Sequence, residues 1–453
     1  MVLQSPPMLR TLSRVSAVLL LSAVTCVSLA TAQSDAIVFV GGTVLTQDPQ
    51  RPLAEAVALR GGRILAVGST TEVRRSAGAG SREINLRGRT LIPGLIDAHV
   101  HLRGVEDEGE SVVQAARTTL APTLSAYLSH GVTTVRIAGG RLPQSAELRD
   151  LLESGEVIGP RLVLMGPPFS APGGHPGVTV CRNNPRCRAG LREVSEEGQA
   201  RAYVREPSNR GFGTLKVIAN FIPDVNIGRE LPSIPDPLLA AIADEAHKNG
   251  LRVGAHVADT ATMIRMIGMG YDQFMHLPDT VSAPDHVPTL ARMLAEKKIP
   301  VTTTLSLRDS YRDANGSERR VFGTPYGEDT RRMFEQMLKT AAVFHAAGVP
   351  LVVGTDCCQG AQIGDPRLQP GARAIHEMDL LDRAGLPREA ILAAATRVAA
   401  NALGVSETVG TIAPGKVADL VVLVGDPRKD FRVLHNPVAV LKGGRLVSGA
   451  LPD

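Results

Sequence analysis

The chain reads as an α/β protein: a TIM-like (β/α)8 barrel beside a small β-sandwich domain built from both chain ends. Three observations predict this. Residues 36–68 and the last fifty residues share one style, short apolar runs hinged on Gly-Gly pairs. The stretch between them alternates short apolar strands with amphipathic helices. The run Leu91-Ile92-Pro93-Gly94-Leu95-Ile96-Asp97-Ala98-His99-Val100-His101-Leu102 links the two parts and ends in His-x-His.

The N-terminus reads as a secretory signal. Arg10 and Arg14 precede an apolar stretch from Val15 to Leu29, and Ala30-Thr31-Ala32 is a small-residue cleavage site. The expected boundaries are 1–32 for this signal, 33–91 and 404–453 for the two parts of the β-sandwich, and 92–403 for the barrel. The mature chain would begin near Gln33 and be exported, periplasmic or secreted. An uncleaved membrane anchor is the alternative reading. No other apolar run is long enough to span a membrane.

Composition narrows the partners. The formal charge is +4 over 453 residues, and removing Arg10 and Arg14 with the signal leaves 47 basic against 45 acidic residues, +2. That balance argues against nucleic acid, and no basic run carries interleaved aromatics. A small-molecule substrate is expected, and a homo-oligomer stays open. Hydrophobic residues make up 43% but aromatics only 3%, with no Trp, so Ala, Val, Leu and Ile must fill a large core.

The terminal elements come first. Ile37–Val40, Gly41-Gly42 and Thr43–Leu45 read as a hairpin, as do Ala56–Leu59, Gly61-Gly62 and Ile64–Val67. Asp419–Val424, Val438–Leu441, the turn Gly443-Gly444 and Leu446-Val447 repeat the pattern, so the two ends are expected to pair. In the middle, strands are expected at Leu91–His101, Thr133–Ile137, Arg161–Met165, Thr214–Ile218, Arg252–His256, Gln273–His276, Val301–Leu305 and Leu351–Asp356. Helices are expected at Ala115–His130 and Asp236–Asn249, the latter with Pro at its start and Gly250 at its stop. Eight parallel strands in series predict a closed barrel with reactive groups at the C-terminal strand ends.

Side chains alternate along a strand, so His99 and His101 point the same way and make half of a metal site. His256, His276 and Asp356 each end another predicted strand. Singly, each reads more readily as a capping or hydrogen-bonded loop residue. Together they would set imidazoles and a carboxylate around one rim, a set that suits Zn2+ or a similar ion. Lys216 lies within an apolar strand. It is either an edge lysine snorkelling outward or a lysine converted by CO2 to an anionic carbamate. Cys181 and Cys187 bracket a polar segment that suits a small-loop disulfide. Cys357 and Cys358 are adjacent, and such pairs rarely bond, so they read as buried thiols near the site.

Seven motifs then point one way: LIPGLIDAHVHL (91–102), GVTTVR (131–136), LKV around Lys216, EAHKNGLRVGAH (245–256), MH at 275–276, VVGTD (352–356) and VGTIAPGKVADLVVL (409–423). With these the chain resembles the amidohydrolase superfamily, in its imidazolonepropionase-like and prolidase-like (Xaa-Pro dipeptidase-type) branch. The resemblance implies a metal-dependent hydrolase of an amide bond in a dipeptide, an N-acyl amino acid or a cyclic amide. It implies two divalent metal ions, expected to be Zn2+, held by His99, His101, a carboxylated Lys216, His256, His276 and Asp356. It further implies a metal-bridging hydroxide, with Asp356 as the catalytic proton shuttle. Lactonase or phosphotriesterase-type hydrolysis on the same site is the alternative, and a non-catalytic barrel would have lost ligands that are present here.

The chain departs from relatives at Ile137, where many have Asp, at Ala219-Asn220-Phe221-Ile222-Pro223, often Gly-rich, and at apolar Val257 and Ala258. These positions bear on the substrate rather than on the metal set. His175, Arg308 and Tyr311 follow predicted strands and are the candidate substrate contacts, the latter two suited to clamp a carboxylate. His376-Glu377 opens the final barrel helix and is a candidate support for the ligands. His130, His247, His286, His345 and His435 read as structural or solvated.

Overall fold

Apolar alternation at both chain ends produces short strands that meet in shared sheets. A computed structural model describes residues 36–102, 111–140, 142–182, 184–206, 211–219, 223–224, 229–257, 259–278, 284–310, 328–357 and 366–452. The expected signal (1–32), Tyr311, Ala258 and Cys358 lie outside them. In one sheet Ile37–Val40 pairs antiparallel with Ala56–Arg60 and parallel with Arg82–Asn85. In a second, six-stranded sheet, Thr90–Pro93 lies between the N-terminal Thr43–Leu45 and the C-terminal Leu420–Leu423. The two ends of the chain therefore share one sheet. Phe39, Val57 and Ile84 of the first sheet join Leu91, Val422 and Leu441 of the second in one buried apolar cluster.

The middle of the chain is built of parallel strands and helices. One ladder runs in the order Arg161–Leu164, Val132–Ile137, Leu95–Val100. A second runs Arg192–Glu193, Pro168–Ser170, Thr214–Ile218, Arg252–His256, Gln273–Phe274, Val301–Thr302, Leu351–Val352, every neighbouring pair parallel. Hydrogen bonds connect the ladders on both sides. Ala98 N donates to Val353 O and Asp356 N to His99 O, at 3.0 and 2.8 Å, and Gly166 N donates to Thr214 O at 2.9 Å. Near-continuous burial of Leu95–Val100 and Val132–Ile137 follows from helices covering parallel strands.

Helix Asp236–Lys248 shows how sequence makes these covers. Pro237 sits in its first turn, Asn249 caps its end, and Leu238, Leu239, Ile242 and Ala246 form its buried stripe. The helix expected over Ala115–His130 is instead two helices, Val112–Arg117 and Ala121–Ser129. Pro122 has no N–H to donate and its ring clashes with a preceding turn, so it opens a new helix rather than continuing one. The strand expected over Val301–Leu305 stops at Thr302, and Leu305 opens a short helix to Asp309. Among the described residues no helix is long and apolar enough to cross a membrane.

Cys181 and Cys187 form the expected disulfide, with a Cα separation of 5.2 Å. Cys357 is buried as expected but is not a free thiol. Its sulfur is disulfide-bonded. Burial speaks for an apolar site and leaves the oxidation state of the sulfur undecided.

Candidate metal centre

The first strand brings Asp97, His99 and His101 to one face, because side chains two apart share a side. The last strand delivers Asp356 to the same place. Asp356 Oδ1 lies 3.5 Å from His99 Nε2 and 3.2 Å from His101 Nε2. One ligand atom from each of His99, His101 and Asp356 falls within 4.8 Å of the others. His99 is fully buried, yet among the described residues neither of its ring nitrogens has a hydrogen-bond partner. A buried polar atom left without a partner is costly, so two on one ring suit a ligand that completes it.

Next to this triad, His276 Nε2 lies 2.8 Å from His256 Nδ1. The His99 and His276 rings are 5.1 Å apart between centroids, and His256 and His276 are 4.4 Å apart. The strand ends thus gather all four expected histidines and Asp356. Lys216 is buried in the strand beside His256, with Gly254 and Pro168 as its register partners. Gly139 lies beside the lysine stem, where an added Cβ would sit in ordinary contact with Lys216 Cδ at 3.4 Å.

The charges suit a divalent cation. Burial drives His99 and His256 well below the ordinary imidazole range, and His276 down to about 3. The Lys216 charge depresses all three further. Neutral imidazoles offer lone pairs, as a metal requires. Burial alone would raise Asp356, but His99 and His101 outweigh it and hold the carboxyl well below its usual range. His99, His256 and His276 therefore offer neutral nitrogens beside the anionic oxygen of Asp356, a set that fits Zn2+ or a similar ion.

Of the candidate substrate contacts, His175 reaches the cluster. Its ring stacks on His256 at 5.1 Å and its Nδ1 is 2.7 Å from Thr179 Oγ1. Burial and the Lys216 charge lower it to about 4. Arg308 lies on helix Leu305–Asp309, near enough for its charge to depress His276. His247 and His435 pair instead with Asp272 and Asp379.

Sequence reasoning missed Asp97 and Thr304. Asp97 accepts hydrogen bonds from His99 N, Thr355 N and Thr355 Oγ1. Its place two residues before His99 was the available signal. Thr304 Oγ1 is 2.9 Å from His276 Nδ1. Nothing local marks it out, since that meeting depends on the turn that ends the Val301–Thr302 strand.

Comparison with known proteins agrees with this geometry. The Amidohydrolase family matches residues 90–447. An uncharacterized protein of Mycobacterium tuberculosis is 28% identical over 367 residues, covering 79% of this chain and 85% of that protein. Ochratoxinase of Aspergillus niger is 26% identical over 431 residues, covering 88% and 84%. A solved prolidase in complex with N-methylphosphonate-L-proline superposes with a TM-score of 0.71 at 26% identity, covering 92% of this chain and 100% of that one. With a family match across most of its length and a metal-ready set of side chains at its strand ends, the chain belongs to the amidohydrolase family.

Proposed function

We propose that this protein is a binuclear metal-dependent hydrolase that cleaves an amide bond in a dipeptide, an N-acyl amino acid or a cyclic amide. Membership of the family makes it a hydrolase of carbon–nitrogen bonds. The observation that carries the finer reading is the fully buried His99 ring, with neither nitrogen hydrogen-bonded among the described residues, beside Asp356 and next to the His256–His276 pair. His99, His101 and Asp356 would hold one ion, His256 and His276 the other, with Lys216 as a carbamate between them.

The architecture we infer is a closed (β/α)8 barrel beside a β-sandwich. The hydrogen bonds from the first strand to the last, and from Gly166 to Thr214, support closure. The shared apolar cluster supports the sandwich. Export to an oxidising compartment agrees with the Cys181–Cys187 disulfide.

Bound divalent ions would lower the pKa of a water and polarise the scissile carbonyl. The chain's own residues would do the rest. Asp356 would accept a proton from the attacking water and return it to the leaving nitrogen. His175, held by Thr179, would face the substrate from the loop after Ser170. Arg308 would draw a substrate carboxylate, which favours N-acyl amino acids and dipeptides over uncharged amides. The prolidase complex, whose ligand carries a proline carboxylate, supports that choice.

Metal analysis of the purified protein, together with turnover on a panel of dipeptides, N-acyl amino acids, lactones and a phosphotriester, tests the reading. About two ions per chain and a preference for the amides are expected. Fewer than one tightly held ion overturns the binuclear site, and a preference for lactone or phosphotriester overturns the amide assignment. Loss of the second ion on removal of bicarbonate would mark Lys216 as the carbamate.

A further inference from the structure

Thr304 is a β-branched residue in the left-handed region, with φ +50 and ψ +32. That conformation is strained for a β-branched residue and persists only where the surroundings enforce it. Here the enforcing group is Glu377, which is fully buried on helix Ala372–Arg383. Its Oε1 accepts from Thr303 Oγ1 at 2.5 Å and Leu305 N at 2.8 Å, and its Oε2 accepts from Ser306 N at 2.6 Å. One carboxylate thus grips the residues on both sides of Thr304. Thr304 N donates to Gly354 O at 3.1 Å, tying the turn to the segment after strand Leu351–Val352 that carries Asp356. The same helix secures the far end of the segment. His376 Nε2 meets Asp309 Oδ2 at 2.7 Å, and Arg373 Nη2 donates to Ser306 O at 3.1 Å.

The strained turn sets the Thr304 hydroxyl against one nitrogen of His276, 2.9 Å from Nδ1. The other nitrogen, Nε2, faces His256 Nδ1. A neutral imidazole carries one proton, and the partner of one nitrogen decides where it sits. With the proton on Nδ1 and donated to Thr304, the Nε2 lone pair is left for a ligand. In the other tautomer a proton occupies the very atom that faces His256.

We propose that Thr304 and Glu377 are positioning residues, Thr304 fixing the tautomer and ring direction of His276 and Glu377 holding Thr304 in place to do so. The purpose of that arrangement rests on the metal-centre reading above, but the tautomer itself does not. Imidazole 15N shifts of the metal-free protein read the tautomer directly. Wild type is expected to show His276 as Nδ1–H, Thr304→Val to lose that state, and Thr304→Ser to retain it. Titration with Zn2+ alone should show the second ion bound about 10–100-fold more weakly in Thr304→Val and in Glu377→Gln, with Thr304→Ser close to wild type. An Nε2–H tautomer in wild type overturns the proposal, even if Thr304→Val does not fold. So does a Thr304→Val protein with unchanged tautomer and unchanged Zn2+ affinity. A wild-type protein that shows Nδ1–H but takes up no Zn2+ sinks the metal reading and leaves the positioning role standing.

Discussion

Asp97 and Thr355 are joined by two hydrogen bonds across the first and last parallel strands. Asp97 Oδ1 accepts from Thr355 N at 3.0 Å and Oδ2 accepts from Thr355 Oγ1 at 2.7 Å. The same carboxylate accepts from His99 N at 3.3 Å. It therefore fixes the backbone of one candidate ligand and the residue before another. Asp356 needs that support, since its φ of +51 is unusual for a residue with a side chain.

Replacing Asp97 by Ala would leave the buried Thr355 hydroxyl without the acceptor of its proton and the Thr355 N–H with only its longer bond to His99 O, at 3.3 Å. Urea unfolding of the metal-free protein should show a loss of about 3 kcal/mol. In a double-mutant cycle with Thr355→Ala the two losses should overlap by about 1 kcal/mol or more, as contacting residues do. Strict additivity would mean that the pair is not what holds these strands.

Gly354 is the second point of close approach. A Cβ there would lie 2.4 Å from Thr302 Cγ2 and 3.0 Å from both His99 Cβ and His99 N. Thr302 and His99 flank it on the neighbouring strands, so neither can step aside cheaply. Gly354→Ala should cost about 1–3 kcal/mol by overpacking and weaken metal uptake by moving His99. Gly198→Ala, on an exposed helix with nothing within 4 Å, is the control and should be neutral or stabilising by about 0.5–1 kcal/mol. Equal Zn2+ affinity in Gly354→Ala and its parent would remove His99 from the argument.

Parallel strands and their ligand-bearing ends were legible because both depend on local pattern. Strands Thr214–Ile218 and Arg252–His256 fall where apolar runs placed them, and helix Asp236–Lys248 ends one residue short of its expected last residue, Asn249. Failures came where distant groups decide. The Val301–Leu305 run has strand composition throughout, yet Glu377, some seventy residues on, turns it into a helix start. Asp97 draws no role from the sequence because its partner, Thr355, is 258 residues away. Pro122 is the exception, a local signal that should have divided the Ala115–His130 helix.

Metal removal should separate chemistry from folding. Dialysis against a chelator is expected to abolish turnover and lower Tm while leaving far-UV circular dichroism intact. Zn2+ restored to about a hundred times its Kd should return about 2.7 kcal/mol per site. Asp356→Asn, assayed with metal content measured in parallel, should lose about 10²–10⁴ in kcat. Full turnover with metal still bound would remove Asp356 from proton transfer.

Glu377 yields the pH dependence. Burial raises its carboxyl above the ordinary 4.5, against the hydrogen bonds from Thr303, Ser306 and Leu305. Arg373 and His376 share its helix, and its charge is felt by Asp97 across the core. A raised folded pKa means that the folded state favours the proton. The stabilisation from keeping that proton is complete below about pH 4.5, where the unfolded chain is protonated too, and is lost as pH rises through the folded value. Glu377→Gln has no such proton to lose. The stability advantage of wild type over Glu377→Gln, measured as Tm or urea midpoint from about pH 4 to about pH 8, should therefore shrink as pH rises. A gap that stays constant, or widens toward high pH, would show that the hydrogen bonds to the ionised carboxylate outweigh its burial.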